Sequence, residues 1–147
     1  MNLDWLNPKV NMHIELFDEH GNLKEEMFIH NAVTSTGKGM IAERIEGSPS
    51  IGAPSHMAIG TGSHTPGSSA TLGTELDRNA FASGPTAAAN VVTMVGSWAA
   101  GDGTGAITEA GCFNINTGGS LLWSATFSVI NKGASDTLQI TWTVTIS

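Results

Sequence analysis

The sequence predicts a mainly β protein, an antiparallel β-sandwich or jelly-roll-like fold with one or two short helices. Its clearest element is the segment 138–147, LQITWTVTIS, in which large apolar residues alternate with Gln, Thr and Ser without exception. Successive side chains of a strand point to opposite faces, so this pattern is typical of a half-buried antiparallel strand. Further strand-like segments recur about every ten residues and are separated by Gly-rich turns, which is the spacing of sandwiches and jelly rolls.

The first predicted unit is a β-hairpin. Residues 10–17 and 23–34 are its strands, and a Gly/Asn turn at 19–22 joins them. Its acidic residues share a polar face, which we expect to lie toward solvent. The hairpin would bring His13 opposite His30, and we interpret these residues as a surface pair rather than a zinc site.

The chain then predicts one good helix and a short strand. Residues 35–45 have an apolar side, and Ser35 or Thr36 can cap their start. Residues 56–60 read as a short strand, and 71–79 have the composition of a single helical turn.

The second half predicts four strands, of which the last two are expected to pair as a hairpin. The four strands lie at 90–99, 106–113, 121–130 and 138–147. Apolar residues on one face of the last two strands are expected to supply much of the core, because large aromatic side chains bury the most area. These residues are Trp123, Phe127 and Trp142.

Length and composition limit the domain organisation. The 147 residues fit one domain, which we expect to span 10–147 after an N-terminal arm of residues 1–9. A single cysteine, Cys112, excludes an internal disulfide framework. The N-terminus has no signal-peptide pattern, and no apolar run is long enough to cross a bilayer, so we expect folding in a reducing cytoplasm and no membrane partner.

The charge balance argues against a nucleic-acid partner. The net charge is −7, with only six Lys and Arg residues scattered along the chain. A phosphate backbone is bound by a basic stripe, which this composition does not provide.

No segment carries a complete catalytic or cofactor motif. The stretch 34–39 resembles a phosphate-binding loop, but position 32 is Ala and position 39 is Gly where that motif needs Gly and Ser or Thr. The G-T-G at 60–62 and D-G-T-G at 102–105 are interpreted as turns. We therefore expect no enzyme activity and no catalytic, cofactor-binding or metal-binding residues, although carboxylates brought together in space stay possible.

One polar pair is predicted to be structural. Glu109 lies within the apolar segment AITEAGCF, where an unpaired carboxylate is costly, and Arg78 ends the segment LGTELDR. We expect these two side chains to form a partly buried ion pair. The alternative is that both are solvated charges.

The N-terminal arm carries two candidate interface residues. Trp5 and Leu6 are large and apolar in a segment without periodicity, and Pro8 stops a helix there. Two interpretations stay open: the arm tucks against its own domain, or it docks on a neighbouring subunit.

Three stretches of the chain together resemble virion proteins of tailed bacteriophages. The shared features are a short strand ending in G-T-G, a Leu-x-x-Glu-x-x-Arg turn, a strand reading T-E-A-G-x-F-N, and a Thr/Trp closing strand. The likeness spans residues 56–147, about two-thirds of the chain, and extends distantly to the N-terminal module of tail-collar fibre proteins. The stretches are residues 56–81, 103–127 and 130–147.

The resemblance implies a structural protein of the virion. Fibre proteins continue into a shaft, whereas this sequence stops at Ser147 within a predicted strand, so we expect a capsid decoration (cement) protein. Such a protein implies the major capsid protein as partner, a homotrimer, and a place on the capsid surface after assembly in the host cytoplasm. The alternative is a tail, baseplate or short-fibre component, possibly one that binds a receptor.

Overall fold

The computed structural model describes residues 8–146, and within that range the chain forms nine strands and one helix. The helix α1 spans Ser35–Glu46. The strands are β1 (Lys9–Phe17), β2 (Leu23–Val33), β3 (His56–Gly60), β4 (Glu75–Ala80), β5 (Ser83–Ala88), β6 (Val91–Trp98), β7 (Gly105–Phe113), β8 (Leu121–Lys132) and β9 (Thr137–Thr145).

The strands form an antiparallel β-sandwich, as the sequence predicts. Neighbouring strands follow the order β4-β3-β7-β8-β2-β1-β9-β6-β5, and every pair is antiparallel. The order passes from one sheet to the other at β2. Most of β2 pairs with β1, while its last two residues pair with β8. The two sheets therefore share one strand and enclose a common core.

The core is built on apolar residues in register across β1, β9 and β6. Met12, Trp142 and Met94 form one rung, and Leu16, Leu138 and Trp98 form another. Gly96 faces Ile140 in the rung between, and a Cβ there would lie 2.6 Å from Sδ of Met57 in the opposite sheet. Gly96 thus leaves the space in which the two sheets interlock.

The aromatic residues expected in the core have different positions. Trp123 and Trp142 are almost fully buried, whereas Phe127 is only partly buried and packs against the core from its margin. Trp98 of β6 is equally buried. The single cysteine, Cys112, is buried in the same core, and burial raises the pKa of its thiol well above the usual value.

The helix begins at Ser35, as predicted, but its N-cap lies just before the two predicted cap residues. Thr34, not Ser35 or Thr36, is the N-cap: its Oγ1 accepts from the Gly37 backbone N–H at 2.9 Å and donates to the carbonyl of Leu121 at 2.7 Å. The cap therefore also fastens the helix to β8.

The helix α1 has 12 residues. Within residues 8–146, no helix is both long enough and apolar enough to cross a bilayer.

The predicted pairing of the last two strands is wrong. β8 pairs with β7 and β2, while β9 pairs with β1 and β6, so these consecutive strands lie in opposite sheets. Both carry apolar residues toward the core, and a short turn that crosses between sheets satisfies that pattern as well as a hairpin does. The first hairpin, by contrast, forms as β1 and β2.

Three smaller predictions also need correction. The segment 71–79 contains no helical turn, and its second half is instead the edge strand β4. β5 was missed, because its sequence SGPTAA contains Gly and Pro, which are rare inside strands but tolerated at an edge. β1 begins at Lys9, inside the segment 1–9 assigned to the arm.

Replacing Trp142 with Ala should lower the free energy of unfolding by about 3–5 kcal/mol, because the indole is fully buried between Met12 and Met94. Phe28→Ala is the matched control, since this ring is exposed on the outer face and its loss should cost less than about 0.5 kcal/mol. Urea denaturation followed by circular dichroism measures both. Equal losses for the two variants would contradict this description of the core.

Candidate functional site

Glu109 holds a loop in place instead of pairing with Arg78. It lies on β7 with 0% of its surface exposed. β3 separates its strand from the strand of Arg78, so the two charges do not meet and the predicted ion pair is wrong. Its two carboxylate oxygens accept four hydrogen bonds of 2.7–2.9 Å, from the backbone N–H groups of Gly62, Gly73 and Thr74 and from Nδ1 of His64.

The segment held by Glu109 is a compact loop, residues 61–74, which we call the Ω-loop. Its ends meet where the N–H of Thr61 donates to the carbonyl of Thr74 at 3.0 Å. A Cβ at Gly60 or Gly62 would lie within 2.8 Å of the Glu109 carboxylate. The two glycines of the G-T-G sequence are thus needed because any side chain there would collide with this carboxylate.

The electrostatics of Glu109 favour its ionised form. Burial alone would raise its pKa, but the hydrogen bonds from Thr74, Gly73, His64 and Gly62 outweigh burial and hold the pKa below the usual value. The His64 side chain is 2% exposed and its Nε2 has no partner among the described residues. Neither side chain reaches solvent, and the pair lies beneath the Ω-loop that it fastens.

Arg78 fastens β4 to the turn between β7 and β8. Its guanidinium pairs with Glu75, with a shortest contact of 2.6 Å, and lies 3.6 Å from the centre of the Phe113 ring. Nη1 also donates to the carbonyls of Ile115 and Gly118, each at 2.9 Å. Arg78 therefore has a structural role, with partners that the sequence does not place near it.

Two carboxyl groups come together at the end of the sandwich formed by the β6–β7 and β8–β9 turns. Asp77 of β4 lies beside Asp102 of the β6–β7 turn, and Asp102 accepts from Nδ2 of Asn79 at 2.8 Å. Burial first, and then the hydrogen bond and charge of Asp102, raise the pKa of Asp77. Oδ2 of Asp77 is buried and has no hydrogen-bond partner within residues 8–146. A proton on the Asp77 carboxyl group would let this group donate to Asp102.

Lys132 lies close to this acidic pair. Its side chain is almost fully buried, and Nζ donates to the carbonyl of Ala99 at 2.9 Å. Burial lowers its pKa, while the charges of Asp102, Asp136 and Asp77 act in the opposite direction. The cluster ties the two turns together, and we assign it a structural role.

The outer side of the β1–β2–β9 sheet carries the most unusual surface, which we call the hairpin face. It contains a hollow of about 360 Å³. Phe28 is 74% exposed beside this hollow, and its ring stacks on the His13 imidazole with centroids 4.2 Å apart and planes 6° from parallel. The polar and aromatic side chains of the hairpin face are Asn11, His13, Phe28, His30, Thr141 and Thr143.

The histidines of this face are not opposite each other, contrary to the sequence-based expectation. His13 lies opposite Phe28, and His30 lies opposite Asn11 and hydrogen bonds to it. The sequence could have indicated the outward position of Phe28. In a strand, Phe28 points to the face opposite that of its neighbours Met27 and Ile29, which pack against the core. A large apolar residue on a polar face marks a candidate contact.

A candidate set of metal ligands lies at the edge of the same face. Glu15 is directly opposite Glu26, and His13 offers a ring nitrogen, with the three ligand atoms within 4.8 Å of one another. Nε2 of His13 already contacts Oε1 of Glu26 at 2.7 Å. A divalent cation would therefore have to replace this contact, while Nδ1 of His13 lies 3.7 Å from Oε1 of Glu15.

A second concave surface, which we call the apolar groove, lies between α1 and the C-terminal end of β9. Its volume is about 290 Å³. Residues that line it include Met40, Arg44, Pro54, Trp123, Val144 and Ile146. The predicted interface residues Trp5 and Leu6 lie outside the described residues.

Comparisons with protein-family models, with curated proteins and with solved structures find no match for this chain.

Replacing Glu109 with Gln should lower the free energy of unfolding by about 3 kcal/mol at neutral pH, because a buried amide N–H₂ would face backbone N–H donors. A depressed pKa stabilises the fold above the unfolded-state value near 4.5, and this contribution is lost as the pH falls. The difference between wild type and variant should therefore shrink in acid. Urea denaturation at several pH values measures it, with exposed Glu46→Gln as control. A difference independent of pH would contradict the hydrogen-bonded carboxylate.

Replacing Asp77 with Asn should stabilise the protein at pH 7. A raised pKa means that the stabilising form is protonated, so its contribution is complete below the unfolded-state pKa near 3.8 and is lost as the pH rises. Asn keeps a donor toward Asp102 at every pH, so its melting temperature should exceed that of wild type at neutral pH and approach it in acid. Thermal melts across this range measure the effect, and a lower melting temperature of the variant at pH 7 would refute the raised pKa of Asp77.

Proposed function

We propose that this protein is a structural protein of a tailed-bacteriophage virion, and specifically a capsid decoration (cement) protein. In this role it lies on the capsid surface, binds the major capsid protein across capsomer seams, and assembles as a homotrimer in the host cytoplasm. The virion-like stretches 56–81, 103–127 and 130–147 support the broader assignment. The exposed side chain of Phe28 is the structural observation that supports binding to a partner through the protein surface.

The exposed ring of Phe28 has the properties of an interface anchor. Aromatic side chains bury large areas at low entropic cost and dominate the energetics of many interfaces. One face of the ring packs on His13, which in turn contacts Glu26, so the side chain is held in place before a partner arrives. Such preorganisation reduces the ordering cost of binding.

The fastening of the loops to the sandwich suits a protein that is under mechanical force. The Ω-loop is fastened by Glu109, and Arg78 fastens the β7–β8 turn to β4. Loops that are tied to the sheet can transmit force across a seam without local opening, since local opening occurs where buried contacts are few.

Replacing Phe28 with Ala should weaken binding to capsids assembled without this protein by at least about tenfold, as expected for a buried aromatic anchor. Ile45→Ala is the control, because Ile45 is 85% exposed on α1, away from the hairpin face. Sedimentation of the labelled protein with such capsids measures binding, and circular dichroism verifies folding. Unchanged binding of the Phe28 variant would refute the hairpin face as the docking surface.

A tail, baseplate or short-fibre role with receptor binding is the second candidate, and the composition of the hollow favours it. An exposed aromatic ring beside the Asn11 amide and the hydroxyls of Thr141 and Thr143 can both stack on a sugar ring and hydrogen bond to it. Electron cryomicroscopy of intact particles separates the two roles. Density over the whole shell indicates decoration, whereas density confined to the tail indicates the second role.

A further inference from the structure

We propose that the apolar groove of one copy binds residues 1–7 of a second copy, with Trp5 as the buried anchor. This proposal concerns self-association of the purified protein. It uses a surface other than the hairpin face, and it does not depend on which part of a virion the protein belongs to.

The groove has the chemistry of a site for an apolar side chain. It lies at the open end of the sandwich, where the core residues Trp123 and Val144 contribute to its lining. Ile146 is 43% exposed beside them. Its volume of about 290 Å³ is just below the range of about 300–1,000 Å³ found for clefts that bind small molecules. Arg44 supplies the one charged side chain of the lining.

The segment 1–7, MNLDWLN, complements this lining. Trp5 and Leu6 are adjacent large apolar side chains, and Trp is among the residues most enriched at binding hot spots. Asp4 directly precedes Trp5, and its carboxylate is opposite in charge to Arg44 in the lining of the groove. The segment thus offers both the apolar anchor and the opposite charge.

The strand register places the origin of this segment next to the groove. Lys9 pairs with Thr145, the residue before Ile146, so the segment leaves the sandwich at the end where the groove opens. Trp5 precedes Lys9 by four residues, a reach of about 13 Å in an extended chain.

Pro8 favours a neighbouring copy over the chain's own groove. Proline has a fixed φ, and the residue before a proline prefers extended backbone, so neither Asn7 nor Pro8 favours a sharp reversal. An extended backbone at these two positions would continue the direction of β1 away from its own sandwich, and for this reason the proposal places Trp5 in the groove of a neighbouring copy. Exchange of an identical segment between copies is a low-cost route to closed oligomers.

The decisive experiment is disulfide trapping in the double variant Leu6→Cys/Ala53→Cys of the full chain. Ala53 is exposed and lines the groove, whereas the native Cys112 is buried. Mild oxidation should give covalent oligomers on a non-reducing gel, and reduction should reverse them. The control pair Leu6→Cys/Ala134→Cys uses an exposed position on the β8–β9 turn, and should give no more oligomer than Leu6→Cys alone.

A second measurement tests the energetics. Trp5→Ala and Ile146→Asp should each weaken self-association by at least about tenfold in analytical ultracentrifugation, while circular dichroism shows a folded sandwich. Two outcomes would overturn the proposal. One is a disulfide formed only within single chains, which would show that the segment fills its own groove. The other is a wild-type protein that stays monomeric at high concentration and gives no trapped species.

Discussion

The rest of the structure depends on the apolar ladder that runs across β1, β9 and β6. Each rung joins three residues from distant parts of the chain, such as Met12, Trp142 and Met94. Because side chains alternate between the faces of a strand, a shift of one residue in any of the three strands would turn its core residues toward solvent. This constraint fixes the register, and the register in turn places the hairpin face on the outside and the groove at one end.

Glu109 and Asp77 show how the surroundings of a carboxyl group decide its state. Both are drawn into the protein, and burial alone disfavours the charge of each. Glu109 meets three backbone N–H groups and His64, and its pKa falls, whereas Asp77 meets a second carboxyl group, and its pKa rises. Glu109 therefore fastens a loop as an anion, whereas the surroundings of Asp77 favour its protonated form.

The two candidate binding surfaces are chemically different and separate in the fold. The hairpin face is a polar sheet surface with one exposed aromatic ring, while the apolar groove is a concave surface lined almost entirely by apolar residues of α1, β9 and their neighbours. In the proposed virion role, the first surface binds the shell and the second joins copies of the chain. A β-sandwich suits this division, because its outer sheet face and its open end can present separate contacts without disturbing the core.

The sequence by itself determined the fold class, the first hairpin, the helix and the burial of Trp123 and Trp142, because each depends on local periodicity or on turn and cap residues. Only the tertiary structure decided which strands pair and which polar groups meet. The alternation of apolar and polar residues shows that β8 and β9 each have an apolar face, but it does not show which sheet each strand joins. Likewise, the sequence indicates that the carboxylate of Glu109 needs partners, but it cannot show which ones. Backbone N–H groups have no sequence signature, so the prediction named Arg78. The actual backbone donors belong to Gly62, Gly73 and Thr74.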